Sequence, residues 1–295
     1  MTAIPADFAG EAMSWEMHDD VLEVRLHREP CNEIGTAALD ELDRLAKLLH
    51  HTTARACILY SDRERGFCAG ADLKELYDGL VERAETSRTR KALRAIAGPD
   101  LGDRAARRVG APIVRRQVRQ FIDRIHHVFT RIDTAPIPVI GMVHGVVFGG
   151  GFELMLLCDI VVAEQSTRFA FPELRLGLVP GFGGLPRLSR DVGNAVIRDL
   201  LLTGRTLGAK RAYDVGLVSQ VVPRGKGLKI ARKVAAQTAK FDPHVVAMAK
   251  PFAKPVPRAE LEREKDLFCR MVTDPVVLKA LERFVNSDDA RPYLP

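Results

Sequence analysis

The spacing of hydrophobic positions changes several times along the chain. Ser14–His18 and Val21–Leu26 alternate or run apolar on either side of Asp19-Asp20, which predicts a two-stranded hairpin. From Thr36 to Leu49 the apolar residues Ala38, Leu39, Leu42, Leu45, Leu48 and Leu49 recur at helical spacing. Ala54–Tyr60 is a short apolar run and predicts a strand. Gly66–Gly70 reads as a turn and Leu73–Leu80 as a helix. A helix from Arg116 to Ile132 carries Val118, Phe121, Ile122, Ile125, Val128, Phe129 and Ile132 on one side. Pro138–Val143 is a buried strand, Gly149–Leu157 a helix opened by glycine, and Ile160–Ala163 and Arg168–Phe171 are short strands. After Leu200 the pattern turns helical, over Ala209–Val215, Gly227–Ala239, His244–Ala249, Arg258–Met271 and Pro275–Phe284. Strand, strand and helix recurring over the first two thirds, then helices, predict an α/β protein with a helical C-terminal part.

The 295 residues are enough for one large domain or a domain with an appendage. We divide them into a core, residues 1–205, and a helical region, 206–295. No run of about 18 apolar residues exists, which argues against a membrane-spanning helix. The start, MTAIPADFAGEAMSW, lacks the basic end and apolar stretch of a secretory signal. Cys31, Cys57, Cys68, Cys158 and Cys269 are scattered and form no CxxC pair, so neither a zinc site nor a disulfide framework is expected. The expected compartment is the cytoplasm.

The net charge of +6 is unevenly spread. Arg83, Arg88, Arg90, Lys91, Arg94, Arg104, Arg107, Arg108, Arg115, Arg116 and Arg119 face only Glu82, Glu85, Asp100 and Asp103. This Arg-rich insert, at about 79–116, is expected as helical pieces broken at Gly98-Pro99 and Gly110-Ala111-Pro112. Three readings fit it: a solvated face or lid, a clamp for phosphates or a docking surface for an acidic protein, and a nucleic-acid surface. The last is the weakest, because the insert holds no aromatic residue before Phe121 to stack on bases.

Two stretches carry chemistry. One is Gly66-Phe67-Cys68-Ala69-Gly70-Ala71-Asp72-Leu73-Lys74. The other runs from Pro138 through His144-Gly145-Val146-Val147-Phe148-Gly149-Gly150-Gly151-Phe152-Glu153 and on to Phe171-Pro172-Glu173 and Gly181-Phe182-Gly183-Gly184. Three glycines that follow a buried strand and open a helix let backbone N–H groups come close to a ligand oxygen. The turn Ala69-Gly70-Ala71 can bring another N–H to the same oxygen, and two such donors make an oxyanion hole. Glu153 lies among Phe, Leu and Met, and Glu173 follows Phe171-Pro172. Desolvation should raise both carboxyls toward the range useful for proton transfer, with water held between them. Taken singly, each feature also has a structural reading: close packing for the glycines, a dipole partner for Glu153, a turn residue for Glu173. His126, His127, His144 and Asp159 read as packing, surface, hydrogen-bonding or capping residues. No nucleophilic role is expected for Cys68, since nothing beside it in sequence would activate a thiolate.

The joint pattern resembles the crotonase superfamily, specifically the enoyl-CoA hydratase/isomerase family, from about Trp15 to Glu282 apart from the insert. Leu202-Thr203-Gly204 and Gly216-Leu217-Val218 also match. The resemblance implies a ClpP-like fold of repeated ββα units with C-terminal helices that drive assembly into a homotrimer or hexamer. It implies an oxyanion hole from the N–H groups of Ala71 and Gly150. It implies that Glu153 activates water and that Glu173 supplies or relays a proton. Retention of both glutamates favours reversible hydration of a 2-enoyl thioester. Arg28, Cys68, Ala69, Gly70, Asp72, Leu73, Gly149, Pro172 and Gly181 are the expected substrate contacts. No metal or redox cofactor is implied, and coenzyme A enters as part of the substrate.

The chain departs from the family at Arg28-Glu29-Pro30-Cys31-Asn32-Glu33-Ile34, where Glu29 and Glu33 are poor neighbours for phosphate. It departs again at Leu185, which stands where a hydroxyl is common, and in the length of Leu76–Arg116. The alternatives are an isomerase, or a hydrolase or decarboxylase using the same oxyanion hole. A non-enzymatic alternative is a module that engages an acyl carrier protein or RNA through the basic insert.

Overall fold

The computed structural model describes residues 7–86, 115–116, 118–272 and 274–287. The helical pieces expected between 87 and 114 lie outside the described residues. Strands β1 (Phe8–Ala9), β2 (Met13–His18) and β3 (Val21–Leu26) pair antiparallel. Strands β4 (Ala56–Ser61), β6 (Val139–Val143), β8 (Ile160–Glu164) and β11 (Gln220–Val222) extend the sheet in parallel, giving the order β1-β2-β3-β4-β6-β8-β11. A smaller sheet holds β5 (Gly66–Cys68), β7 (Val146–Phe148), β9 (Arg168–Ala170) and β10 (Leu207–Gly208), in the order β10-β9-β7-β5.

The chain therefore alternates between sheets. Each of β4, β6 and β8 in the main sheet is followed by β5, β7 or β9 in the small one, and the neighbours keep the same order. This is the ββα repetition of a crotonase fold. Its consequence is positional. Cys68 pairs with Val147, and Val147 with Phe169. The three segments that leave β5, β7 and β9 thus emerge side by side: Ala69-Gly70-Ala71, Gly149-Gly150 and Phe171-Pro172-Glu173.

Packing explains the apolar runs. One face of the main sheet and the small sheet enclose the principal core, with Trp15, Leu22, Leu39, Leu42, Phe67, Phe129, Phe152, Phe169 and Phe171 fully buried. Helices α1 (Thr36–Leu49) and α3 (118–133) turn their apolar faces into it. The other face is covered by α8 (Gly227–Thr238), whose Ala231 and Ala235 meet Ala56, Ile58, Ile140 and Val162. A parallel strand buried on both faces cannot alternate, so β4 and β6 read as continuous apolar segments. Burying each large side chain contributes about 1.5–3 kcal/mol.

Several elements differ from the sequence expectation. The turn expected at Gly66–Gly70 contains β5, and β7 was not anticipated; strands of three residues are too short to show a period. Helix α2 (Leu73–Thr86) is longer than Leu73–Leu80. The segment Gly149–Leu157 supplies the short helix α4 (Gly150–Met155). Helices α5 (Gly184–Val192) and α6 (Asn194–Thr203) were not read at all, because α5 opens on glycines and carries Arg187 and Arg190 among its few apolar residues. After Leu200 the expected helix α7 (Ala209–Asp214) forms, but β11, which was not anticipated, then returns to the edge of the main sheet before α8. Helices α9 (Pro243–Ala253), α10 (Arg258–Met271) and α11 (Pro275–Val285) follow. Asp242 and Asp274 cap α9 and α11, each ahead of a proline at the first helical position. No helix among the described residues is long and apolar enough to cross a membrane.

Candidate active site

Backbone direction places the first donor. Ile34 N–H donates to Gly70 O at 2.8 Å, and Asp72 N–H donates to Ile34 O at 3.1 Å. In parallel pairing the residue between, Ala71, points its own N–H away from Ile34. Ala71 N lies beside Gly150, the first residue of α4, whose N–H has no acceptor within its helix. A Cβ built on Gly150 would lie 3.3 Å from Ala71 N. Among the described residues neither N–H has an acceptor. Two donors thus stand together at the wall of one cavity.

That cavity has a volume of about 140 Å³. This is room for several waters, since about 10–15 Å³ of such space holds one. Glu153 and Glu173 line it, with Ala69, Gly70, Ala71, Asp72, Leu73, Gly149, Gly150, Pro172 and Gly181. An apolar wall comes from Val118, Phe121, Ile122, Leu178, Val179, Phe182 and Phe268. Gly149 is required twice: its φ is +48°, and a Cβ there would sit 2.7 Å from Glu173 Oε1.

Two expected contacts lie elsewhere. Cys68 is fully buried outside the cavity lining, its thiol 3.0 Å from Asn32 O as donor, because β5 turns that side chain into the core. Burial pushes its thiol well above the ordinary range. Arg28 does not line the cavity either. It donates to Asp72 Oδ2 at 2.8 Å and to Glu33 O at 2.6 Å, so its charge is spent on Asp72. His144 and Asp159 have structural partners, the Arg63 carbonyl and the Val139 N–H.

The two glutamates are held differently. Glu153 Oε1 accepts Phe182 N–H and Gly184 N–H, each at 2.8 Å. Oε2 has no partner among the described residues. Burial raises this carboxyl to about 7, opposed by the two N–H bonds and by Arg187. Glu173 is raised well above the usual carboxylate range, by burial first and then by the negative charge of Glu153. Its Oε2 is shielded from solvent and has no hydrogen-bond partner in the structure. The environment therefore separates one group that ionises near neutrality from one that keeps its proton longer, an arrangement suited to paired acid–base chemistry.

Two side chains around the site, Glu264 and Arg187, were missed by sequence reasoning, and a third, His126, has the packing role expected of it. Glu264, on α10, accepts Gly183 N–H at 2.7 Å and Leu185 N–H at 2.9 Å. Arg187 is fully buried, pairs with Asp133 at 2.9 Å, and donates to the carbonyls of Phe182 and Gly183. His126 Nε2 lies 2.8 Å from Gly181 O, and burial lowers its pKa to about 4, so the ring is neutral and donates. The one available signal for Glu264 was its place between Leu261 and Phe268, on the buried stripe of a helix otherwise rich in charge.

A family model described as enoyl-CoA hydratase/isomerase matches residues 96–289. An enoyl-CoA isomerase/hydratase of Zymoseptoria tritici is 33% identical over 226 residues, 75% of this chain. The chain spans only 60% of the length of that relative. A probable enoyl-CoA hydratase of Rhizobium meliloti is 32% identical over 219 residues, covering 74% of this chain and 71% of that protein. The solved enoyl-CoA hydratase of Bacillus anthracis superposes with a TM-score of 0.66 at 28% identity, over 92% of this chain and 95% of that one. With the site built from the exits of three successive β-strand pairs, these likenesses show that the chain belongs to the enoyl-CoA hydratase/isomerase family.

Proposed function

We propose that this chain is an enoyl-CoA hydratase that adds water reversibly across the double bond of a 2-enoyl thioester. One observation carries the reading: the buried Glu153 and the half-buried Glu173 face a single cavity whose wall presents two unengaged N–H groups. The thioester carbonyl oxygen would accept from Ala71 and Gly150, drawing electron density from Cβ. Glu153 Oε2 takes a proton from water as the water oxygen bonds to Cβ. The double-bond electrons move to the carbonyl, and the N–H pair stabilises the enolate charge. When the enolate collapses, Cα takes the proton of Glu173. Return of a proton from Glu153 to Glu173 resets the site.

The reaction needs no metal or redox group on this reading, and coenzyme A arrives with the acyl chain. The expected assembly is a homotrimer or hexamer, and the expected compartment is the cytoplasm. An isomerase is the second reading, favoured by the name of the Zymoseptoria relative. It would need one carboxylate to move a proton from Cα to Cγ, so 3-enoyl-CoA separates the two.

The test is loss of the conjugated-thioester ultraviolet absorbance when the protein meets crotonyl-CoA. Glu153→Gln and Glu173→Gln should each slow hydration by about 10²-fold or more. Hydration that survives both changes would overturn the mechanism, and turnover of 3-enoyl-CoA alone would favour the isomerase.

A further inference from the structure

Arg187 is fully buried in the first turn of α5, where the positive end of a helix opposes a cation. Its side chain leans back over the helix start, as helical side chains do. Gly183 leaves room for it, since a Cβ there would meet the guanidinium, and Gly184 leaves room for Glu153 in the same way. Asp133, also buried, holds Arg187 Nε at 2.9 Å. That carboxylate is shared with Arg190 and Lys254, at 3.2 and 3.0 Å, so it cancels the Arg187 charge only in part.

The guanidinium acts on the backbone. Three peptide units lead into α5, and each is gripped at both ends. The Gly183 carbonyl accepts from Arg187 Nη1 at 3.1 Å, and the N–H of the same peptide, on Gly184, donates to Glu153 Oε1. The Phe182 carbonyl accepts from Arg187 Nη1 at 3.2 Å, and its peptide's N–H, on Gly183, donates to Glu264. The Gly181 carbonyl accepts from His126, and its peptide's N–H, on Phe182, donates to Glu153 Oε1. A donor on a carbonyl polarises the peptide and strengthens the bond made by its N–H. Glu153 Oε1 is thus pinned by two peptides whose planes are set by other side chains.

We propose that Arg187 is a positioning residue for Glu153, acting through the Gly183–Gly184 peptide: it grips the carbonyl and so aims the N–H that holds Oε1, while Oε2 serves the water. Charge works in the same direction. Among the described residues, Arg187 faces Glu153 from α5, Glu264 from α10 and Glu173 from the single turn Glu173–Leu176. The Glu173 and Glu264 carboxyls are raised by burial and by the charge of Glu153, and His126 on α3 is neutral. Arg187 is the cation that favours ionised Glu153 against burial.

The proposal rests on the hydratase reading for its kinetic test but not for its titration. In wild type, kcat/KM for crotonyl-CoA should rise with pH to a plateau as Glu153 ionises. Arg187→Gln removes the charge, and this acid limb should move up by about one pH unit. Arg187→Lys keeps the charge but loses the fork. There the limb should stay in place and kcat fall about tenfold or more. KM should hold in both, because Arg187 does not line the cavity. A limb unmoved in Arg187→Gln overturns the proposal, since a merely structural residue would lower kcat without shifting it. If Arg187→Gln does not fold, Arg187→Lys decides, and full kcat there overturns the positioning role. If wild type hydrates no crotonyl-CoA, the hydratase reading falls by itself. The Glu153 carboxyl carbon, assigned by its loss in Glu153→Gln, can still be followed by ¹³C NMR against pH. A midpoint raised in Arg187→Gln supports the proposal, and curves equal to wild type overturn it.

Discussion

Glu153 and Glu173 differ in what surrounds them, and the difference sets a pH dependence. Both carboxyls are raised by burial, Glu153 to about 7 and Glu173 further by its neighbour's charge. Hydration needs Glu153 ionised and Glu173 protonated. The rate should therefore climb as pH rises toward about 7 and fall again at higher pH, when Glu173 yields its proton. A pH–rate profile with no acid limb would refute this assignment. Glycine contributes as much as the carboxylates. A Cβ on Gly184 would lie 2.7 Å from Glu153 Cγ and 3.0 Å from the Phe171 ring. Gly184→Ala must push the carboxylate or the ring aside, so we expect kcat to fall about tenfold or more while the fold persists. Steady-state kinetics beside a thermal melt would check it.

Among the elements, the strand exits build the site and the helix starts hold it. Glu41 shows the second role away from the cavity. From α1 it accepts the N–H groups of Glu11, Ala12 and Met13, tying the start of β2 to the helix. Glu41→Ala would strand these largely buried donors, and we expect about 2–4 kcal/mol of lost stability. Denaturant unfolding should show this with kcat nearly unchanged, because Glu41 does not line the cavity. The same elements explain what was legible in the sequence. Helix α1 and strand β3 match their expected limits because each presents a full period of apolar residues to one core. Glu153 and Glu173 were legible because each interrupts an apolar run. Glu264 was not, since the run Glu260–Asp266 is charged almost throughout and its buried member looks like the rest. The three-residue strands of the small sheet left no period, although their register is what brings Ala71, Gly150 and Glu173 together. Arg28 and Cys68 fell outside the cavity because nearness in sequence to the oxyanion turn says nothing about which way a side chain points.

At the scale of the molecule, α9 is held by one face and bare on the other. Lys254 donates to the carbonyls of Leu157 and Cys158 and pairs with Asp133, and Lys250 pairs with Asp159. Through Asp133 this anchor reaches Arg187 and the carbonyls of Phe182 and Gly183 beside Glu153. The outward face carries Val245, Met248 and Phe252, at helical spacing and 61%, 70% and 93% exposed, with Phe241 close by in sequence at 60%. Burying such side chains is worth about 1.5–3 kcal/mol each, so leaving them in water is a poor end state for a folded chain. Further copies of the same chain, each setting this face against a different patch of its neighbour in a closed ring, would cover them. We expect light scattering to give a trimer or hexamer of the 32.6 kDa chain. Met248→Asp with Phe252→Asp should reduce that mass toward the monomer, with far-ultraviolet circular dichroism retained. A wild-type monomer at micromolar concentration, or an assembly indifferent to both changes, would show that this face serves something other than self-association.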